Sequence, residues 1–239
     1  MKTFKIILHI LLVIPLCFII LISPKKQQER IIQFWCKKLL SIFQIKVEIR
    51  GLEDYLVNQK KYLMVANHIS WMDIIVIQSI KPSIFVAKSD VASWPLFGWV
   101  AQMTGTIFIK RDKVSDIKKA LKKIKRRLMK RSVCIFPEGT STNGRYLLPF
   151  KSNLFQASID THKSILPLCL RYEQNNMYTD KVAFVDDMSL VDSIVSIKQE
   201  KDIKAVVEIL QPIRPRFNRK ELASYAHEMI RQNLSQNLS

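Results

Sequence analysis

Short apolar runs alternate with amphipathic segments from residue 62 to the end of the chain. Runs bounded by polar residues predict buried strands, and apolar positions at helical spacing predict helices that pack on them. The predicted strands are 62–66, 84–87, 106–109, 133–136, 165–171, 181–185 and 204–210. The predicted helices are 74–80, 94–103, 114–131, 152–160 and 219–234, the last of which is capped by Asn218 three residues before Glu221. This alternation predicts an α/β fold in which a single mixed sheet is flanked by helices.

The first 44 residues follow another pattern. Residues 6–22 are apolar except for His9, and Pro15 should kink the helix that they form. Such a helix would reach about 25 Å at about 1.5 Å per residue, against a hydrocarbon core of roughly 30 Å. The run is therefore marginal as a membrane span, and it suits an element that re-enters one leaflet equally well. A cleaved signal peptide is the alternative, but no small-x-small cleavage site follows the run.

Residues 27–44 predict an amphipathic helix. One face carries Ile31, Phe34, Trp35, Leu39 and Ile42. Tryptophan and lysine side chains on such a helix suit the headgroup boundary of a bilayer, although periodicity alone allows a core-packing helix equally well. We predict that residues 1–44 form a hydrophobic helical hairpin that attaches the protein to a membrane. Residues 45–239 are then the catalytic domain.

The sharpest chemical pattern is a histidine followed five residues later by an aspartate, His68 and Asp73, at the end of the predicted strand 62–66. A carboxylate beside an imidazole orients the ring and stabilises the imidazolium that forms when the histidine takes a proton. On a regular helix the two side chains would lie about 140° apart. The pair therefore meets only if His68 lies in a turn and Asp73 begins the next helix. The alternative is a surface histidine with an unrelated N-cap aspartate.

Two further segments end predicted strands with polar residues. Gly105 to Arg111 carries Lys110 and Arg111 at its exit, and an arginine fork suits a phosphate. Phe136 to Thr142 places Glu138 beside Gly139 and Thr140, an arrangement that suits a hydroxylated ligand. A solvated strand end and a simple β-turn are the alternatives.

In order and spacing, these segments resemble the glycerolipid acyltransferase family, specifically bacterial 1-acyl-sn-glycerol-3-phosphate acyltransferases. The resemblance covers residues 45–171. It consists of the blocks 67–73, 105–111 and 136–140 and an apolar segment 165–168, together with Lys88 in a Lys-Ser-Asp stretch. The chain departs from the family at Asp90, where glutamate is usual, and at Asn153, where a small residue is common.

The resemblance implies an enzyme that makes phosphatidic acid. In that role His68 deprotonates the free hydroxyl of a lysophospholipid, and the oxygen attacks the carbonyl of an acyl thioester while Asp73 orients His68. The implied substrate-binding residues are Arg111, Glu138, Gly139, Thr140 and Lys88. Two alternatives stay open: an acyltransferase for another lysolipid, such as lyso-ornithine lipid, and a non-catalytic basic protein anchored to the membrane.

Charge narrows the choice of partners. The chain has 38 Lys or Arg against 20 Asp or Glu, for a net charge of +18, and residues 110–131 alone contribute +10. This basic helix suits an anionic membrane surface or an acidic acyl carrier protein, whereas a solvated face is the plain alternative. Beside a membrane hairpin, lipid is favoured over nucleic acid, and no nucleic-acid partner is expected.

We predict that the protein uses no cofactor. The four cysteines lie singly, which argues against a zinc site and a disulfide scaffold. An acyl-CoA or acyl-carrier-protein thioester serves as co-substrate by the resemblance. We expect the protein at the inner membrane, with its catalytic domain on the cytoplasmic side.

Overall fold

One mixed sheet forms the centre of the protein. The computed structural model describes residues 2–58, 60–94, 96–110 and 114–237. The strands are β1 (Ile45–Gly51), β2 (Leu63–Ala66), β3 (Ile84–Lys88), β4 (Ile107–Ile109), β5 (Val133–Ile135), β6 (Ile165–Gln174), β7 (Met177–Tyr178) and β8 (Ile203–Ile209). Their order is β1-β8-β6-β2-β5-β3-β4, with β7 beside β6. This arrangement confirms the predicted α/β fold with a mixed sheet.

The direction of the strands brings the carboxyl ends of several of them to one edge of the sheet. Strands β6, β2, β5, β3 and β4 are mutually parallel, whereas β8 runs antiparallel to β6 and parallel to β1. The segments that leave β2, β3, β4 and β5 therefore emerge at one edge of the sheet. Ligands of open α/β sheets bind at this carboxyl edge.

Helices cover both faces of the sheet. They are α1 (Lys2–Leu11), α2 (Val13–Ile22), α3 (Lys25–Phe43), α4 (Asp54–Val57), α5 (Met72–Ile80), α6 (Phe97–Met103), α7 (Val114–Leu128), α8 (Gln156–Thr161), α9 (Leu190–Gln199) and α10 (Arg219–Asn237). Helices α3, α5 and α9 contribute to the core on one face, and α7, α8 and α10 to the core on the other. Successive residues of a strand point to opposite faces of the sheet. Every second strand residue therefore packs in the core on one face, and the residues between them pack in the core on the other.

The apolar N-terminal run is divided into two helices. Helix α1 ends at Leu11, four residues before Pro15, whose missing N–H removes the hydrogen bond that the Leu11 carbonyl would accept. Helix α3 buries Ile32, Leu39 and Phe43, whereas Phe34, predicted on the apolar stripe, is 73% exposed. Among the described residues, no helix combines the length and apolarity needed to cross a bilayer. The membrane hairpin and the domain boundary at residue 45 stay predictions.

Residues 181–185 are the clearest error of the strand prediction. They form an irregular segment in which Val182 and Ala183 are buried. Their backbone bonds to loops instead of a strand: Phe184 N donates to Ile69 O (2.9 Å), and the Ser141 hydroxyl donates to Phe184 O. The prediction failed because an apolar segment that covers neighbouring loops has the same composition as a short buried strand.

The C-terminal helix begins as its capping pattern predicts. Asn218 Oδ1 accepts hydrogen bonds from the backbone of Lys220 and Glu221, and Glu221 accepts one from Asn218 N. Strand β1 and helix α9 were not predicted, although β1 alternates apolar and charged residues and Ser189 caps α9.

Candidate active site

His68 and Asp73 meet at the carboxyl edge of β2. Strand β2 ends at Ala66 and helix α5 begins at Met72, so a short turn separates the two side chains. His68 Nδ1 lies 2.9 Å from Asp73 Oδ2. The same carboxylate oxygen accepts hydrogen bonds from Ile69 N (2.7 Å) and Ser70 N (2.9 Å). The aspartate thus shapes the turn that presents the histidine, which is the geometry that the spacing requires.

The Asp73 carboxylate is fully buried, and its second oxygen has a partner from a distant strand. The Tyr172 hydroxyl, on β6, donates to Asp73 Oδ1 at 2.7 Å. Sequence analysis missed Tyr172 because 99 residues separate the two positions and no local pattern joins them. The one available signal was a hydroxyl-bearing residue in the apolar run around residues 165–172.

Asn67 fixes the end of β2 against β6. Its side chain donates to Leu170 O (2.9 Å) and accepts from Leu170 N (2.7 Å). Because Leu170 lies two residues before Tyr172, this double hydrogen bond also sets the distance between the His68 turn and the Tyr172 hydroxyl. Asn67 therefore aligns the two strands that supply the site.

The segment after β5 lies against His68. The Phe136 ring stacks on the imidazole, with centroids 4.0 Å apart and planes inclined by 15°. Glu138, also buried, accepts hydrogen bonds from His68 N (2.8 Å) and Leu148 N (2.9 Å). Burial raises the pKa of the Glu138 carboxyl to about 7. Glu138 therefore ties the His68 turn to the loop at Leu148, and its proposed contact with substrate stays a prediction.

Three other predicted substrate residues lie at the same edge, Gly139 and Thr140 after β5 and Lys88 at the end of β3. Gly139 has φ +88°, a left-handed conformation that favours glycine, and its neighbour Thr140 is exposed. Lys88, at the end of β3, is exposed and forms an ion pair with Asp90 at 2.5 Å. Arg111 lies outside the described residues. These positions stay predicted substrate contacts.

An apolar cavity of about 150 Å³ lies beside the turn. Its lining includes Trp71, which lies within the turn between His68 and Asp73, and Ile74, which lies in the first turn of α5. Further walls come from α2, α3, α6 and the segment around Trp94. Gln78 is a polar member, and its amide is engaged by the backbone of Ser83. The lining therefore suits a hydrocarbon chain.

The site shows no candidate metal centre. Within the part of the chain that the structure describes, no three His, Cys, Asp or Glu side chains converge as metal ligands. The four cysteines are free and buried. The described residues at the His68 turn can supply proton transfer by an imidazole with a buried carboxylate behind it.

Sequence comparisons find a family model and named relatives that this chain resembles. A protein-family model named Acyltransferase matches residues 46–171. Lyso-ornithine lipid O-acyltransferase of Pseudomonas aeruginosa is 28% identical over 212 residues, which cover 88% of this chain and 80% of the relative. The 1-acyl-sn-glycerol-3-phosphate acyltransferase of Neisseria gonorrhoeae is 37% identical over 126 residues, 52% of this chain and 49% of the relative.

A solved structure shares the whole fold. The crystal structure of the 1-acyl-sn-glycerophosphate (LPA) acyltransferase PlsC from Thermotoga maritima matches with a TM-score of 0.69 at 19% identity. The match covers 99% of this chain and 97% of that one. At this identity the likeness concerns the fold.

Proposed function

The chain belongs to the acyltransferase family, and from that premise we propose that it acylates the free hydroxyl of 1-acyl-sn-glycerol 3-phosphate to give phosphatidic acid. The observation that carries the proposal is the 2.9 Å contact between His68 Nδ1 and a fully buried Asp73 carboxylate. With Nδ1 held by the carboxylate, the other ring nitrogen, Nε2, is left to receive a proton from substrate. The fatty acyl group comes from an acyl thioester, either acyl-CoA or acyl carrier protein.

In the proposed reaction His68 Nε2 takes the proton of the acceptor hydroxyl as its oxygen attacks the thioester carbonyl carbon. Asp73 stabilises the imidazolium, and the buried setting strengthens that interaction. The tetrahedral intermediate collapses with cleavage of the C–S bond, and the proton on His68 passes to the leaving sulfur. The apolar cavity beside Trp71 would hold a hydrocarbon chain.

Charge at the carboxyl edge supports a phosphorylated acceptor. Lys88 is the last residue of β3, and Lys110 directly follows β4; both are exposed. Arg111 is the next residue in the sequence. A phosphate dianion gains from several cations at its binding site, and an arginine fork adds geometric selectivity. We propose that Arg111, Lys88 and the turn at Gly139 and Thr140 hold the glycerol-phosphate part of the acceptor.

Lyso-ornithine lipid is the second candidate acceptor. The observation in its favour is that two relatives of that name, from Pseudomonas aeruginosa and Rhizobium meliloti, match 88% and 93% of this chain at 28% identity. The 1-acyl-sn-glycerol-3-phosphate acyltransferase of Haemophilus influenzae matches 86% of it at 26% identity, so the two acceptors are closely balanced. The proposed chemistry at His68 is unchanged, because this lipid also presents a free hydroxyl. The two acceptors differ in the headgroup, which is zwitterionic in the ornithine lipid and anionic in the glycerol phosphate.

We further propose that the N-terminal helices attach the enzyme to the cytoplasmic face of the inner membrane. Helices α1–α3 expose large apolar side chains: Phe4, Leu8, Leu11, Leu12, Ile14, Phe18, Ile19, Leu21, Ile22 and Phe34. Contiguous exposed apolar surface is typical of membrane contact. The exposed lysines and arginines of α7 would face anionic lipid or an acidic carrier protein.

A single assay tests the proposal. Purified protein is offered both lysolipids with acyl-CoA and acyl carrier protein thioesters, and the products are separated by chromatography. We expect phosphatidic acid to form fastest, and His68→Ala to abolish its formation while the protein stays folded. Faster acylation of lyso-ornithine lipid would favour the second candidate. An unaffected His68→Ala enzyme would contradict the proposed chemistry.

A further inference from the structure

The two oxygens of the Asp73 carboxylate are held very differently. Oδ2 accepts three N–H groups, from His68 Nδ1, Ile69 N and Ser70 N. Oδ1 accepts the Tyr172 hydroxyl, which is its one hydrogen-bond donor among the described residues. Both side chains are fully buried, so water does not reach this contact from the surface. The carboxylate is therefore held at Oδ2 by the turn and at Oδ1 by one phenol from a distant strand.

Tyr172 is built to hold a fixed position. It lies within β6, paired with Ala205 of β8, and its carbonyl accepts a hydrogen bond from Thr179 N (2.9 Å). Burial, and the negative charge of Asp73, raise the pKa of the phenol well above its usual value. The hydroxyl thus stays protonated and remains a donor to the carboxylate at every pH at which the enzyme would work.

We propose that Tyr172 is a positioning residue for acyl transfer, which fixes the plane of the Asp73 carboxylate so that Oδ2 faces His68 Nδ1. The inference rests on the proposed function, since it presumes that His68 is the general base. The terminal torsion of an aspartate is broad, and rotation about the Cβ–Cγ bond moves both oxygens together, so the donor on Oδ1 narrows the range of planes that the donors on Oδ2 allow. Loss of the phenol would also leave Oδ1 as a buried charged atom without a partner.

A mispositioned carboxylate weakens the base in a defined direction. Asp73 stabilises the imidazolium of His68, so a weaker contact makes proton transfer to His68 less favourable. The other titratable groups coupled to this pair are Glu138, whose pKa is about 7, and Cys134, whose thiol pKa burial raises far above neutrality. Cys134 therefore stays neutral during an assay, whereas Glu138 titrates within the useful range.

The test compares Tyr172→Phe with Tyr62→Phe. Tyr62 is an equally suitable buried tyrosine, 3% exposed, and its hydroxyl contacts Asn58 away from the site. We expect Tyr172→Phe to lower kcat about tenfold or more, the scale of one hydrogen bond to a charged group, with KM for the acceptor within about threefold. The acid limb of its kcat/KM–pH profile should move to lower pH. Tyr62→Phe should retain the wild-type kcat and profile.

Two further variants keep the outcomes distinct. Glu138→Gln identifies any part of the acid limb that belongs to Glu138, and His68→Ala tests the base itself. An active His68→Ala enzyme would remove the proposed function, and the inference with it. If His68→Ala is inactive while Tyr172→Phe matches Tyr62→Phe in kcat and pH profile, the inference alone is overturned.

A spectroscopic readout covers the case in which Tyr172→Phe does not fold. Replacement of Tyr172 by 3-fluorotyrosine keeps the hydroxyl and makes it a stronger donor. The low-field proton resonance of His68 Nδ1, identified by its absence in His68→Ala, should then shift relative to wild type, because the phenol draws more charge from the shared carboxylate. An unchanged resonance together with an unchanged pH profile would overturn the inference.

Discussion

Asp73→Asn is the sharpest perturbation that the site offers. An amide has nearly the shape of the carboxylate, so its oxygen can replace Oδ2 and still accept from His68 Nδ1, Ile69 N and Ser70 N. The amide nitrogen then faces the Tyr172 hydroxyl, which can accept from it. The substitution therefore removes the buried negative charge and leaves most of the hydrogen bonding in place. Asp73→Ala would instead leave two backbone N–H groups and the phenol unpaired, at about 1–3 kcal/mol each.

The expected loss follows from what the charge does. Without it, the imidazolium that forms in the transition state has no counter-charge, and losses of general-base catalysis run to about 10²–10⁴-fold. At about 1.4 kcal/mol per factor of ten, this is roughly 3–5 kcal/mol of transition-state stabilisation. Because Asp73 is fully buried and touches no solvent, KM for the acceptor should stay within about threefold.

The assay measures initial rates of acyl transfer against acceptor concentration, with thermal unfolding of each protein recorded in parallel. Asp160→Asn is the matched control, since Asp160 pairs with Lys125 on the α7–α8 surface, away from the His68 turn. It should retain wild-type kcat. A folded Asp73→Asn enzyme with kcat within threefold of wild type would refute the role given to the carboxylate.

The remaining predictions concern the phosphate, pH and the membrane. Arg111→Lys keeps the charge but loses the planar fork, so KM for the phosphorylated acceptor should rise; a kinetically silent Arg111→Ala would mean that the phosphate binds elsewhere. Because the folded-state pKa of Glu138 is raised from 4.5 to about 7, its favourable contribution to folding is complete below pH 4.5 and lost as pH rises through 7. That loss is about 3 kcal/mol, so urea unfolding at pH 5 and pH 8 should show a decline that Glu138→Gln lacks; an equal decline in both proteins would contradict the shift. High salt should leave the protein in the membrane fraction, because salt at about 1 M shortens the screening length of charge to about 3 Å but leaves apolar burial intact. Ile22→Ser with Phe34→Ser, at side chains 86% and 73% exposed, should release it, whereas Met177→Ser should not; release of wild type by salt alone would show that charge holds it.

Sequence periodicity determined the strands and helices that pack by ordinary burial. The apolar runs at β2, β5 and β6 and the stripe of α7 place their residues in the core with errors of a few residues at their ends. The same reasoning failed at residues 181–185, since an apolar segment that covers loops has the composition of a strand. It also could not show that Phe34 points outward from α3 while Ile32, Leu39 and Phe43 enter the core.

The candidate site also has one part that the sequence predicted and another that only the structure shows. The spacing of His68 and Asp73 allowed the two side chains to meet in a turn, and the neighbouring motif blocks favoured that interpretation over an unrelated pair. Local hydrogen bonds determine the conformation of that turn. What holds that turn depends on strands far apart in sequence: Asn67 bonds β2 to β6, Tyr172 donates to Asp73, and Glu138 accepts from the backbone of His68. Contacts within one turn depend on residues that are close in sequence. The partners of a buried charge depend instead on which strands lie side by side. Only the tertiary structure, through the parallel pairing of β2 with β5 and β6, brought those partners to one edge of the sheet.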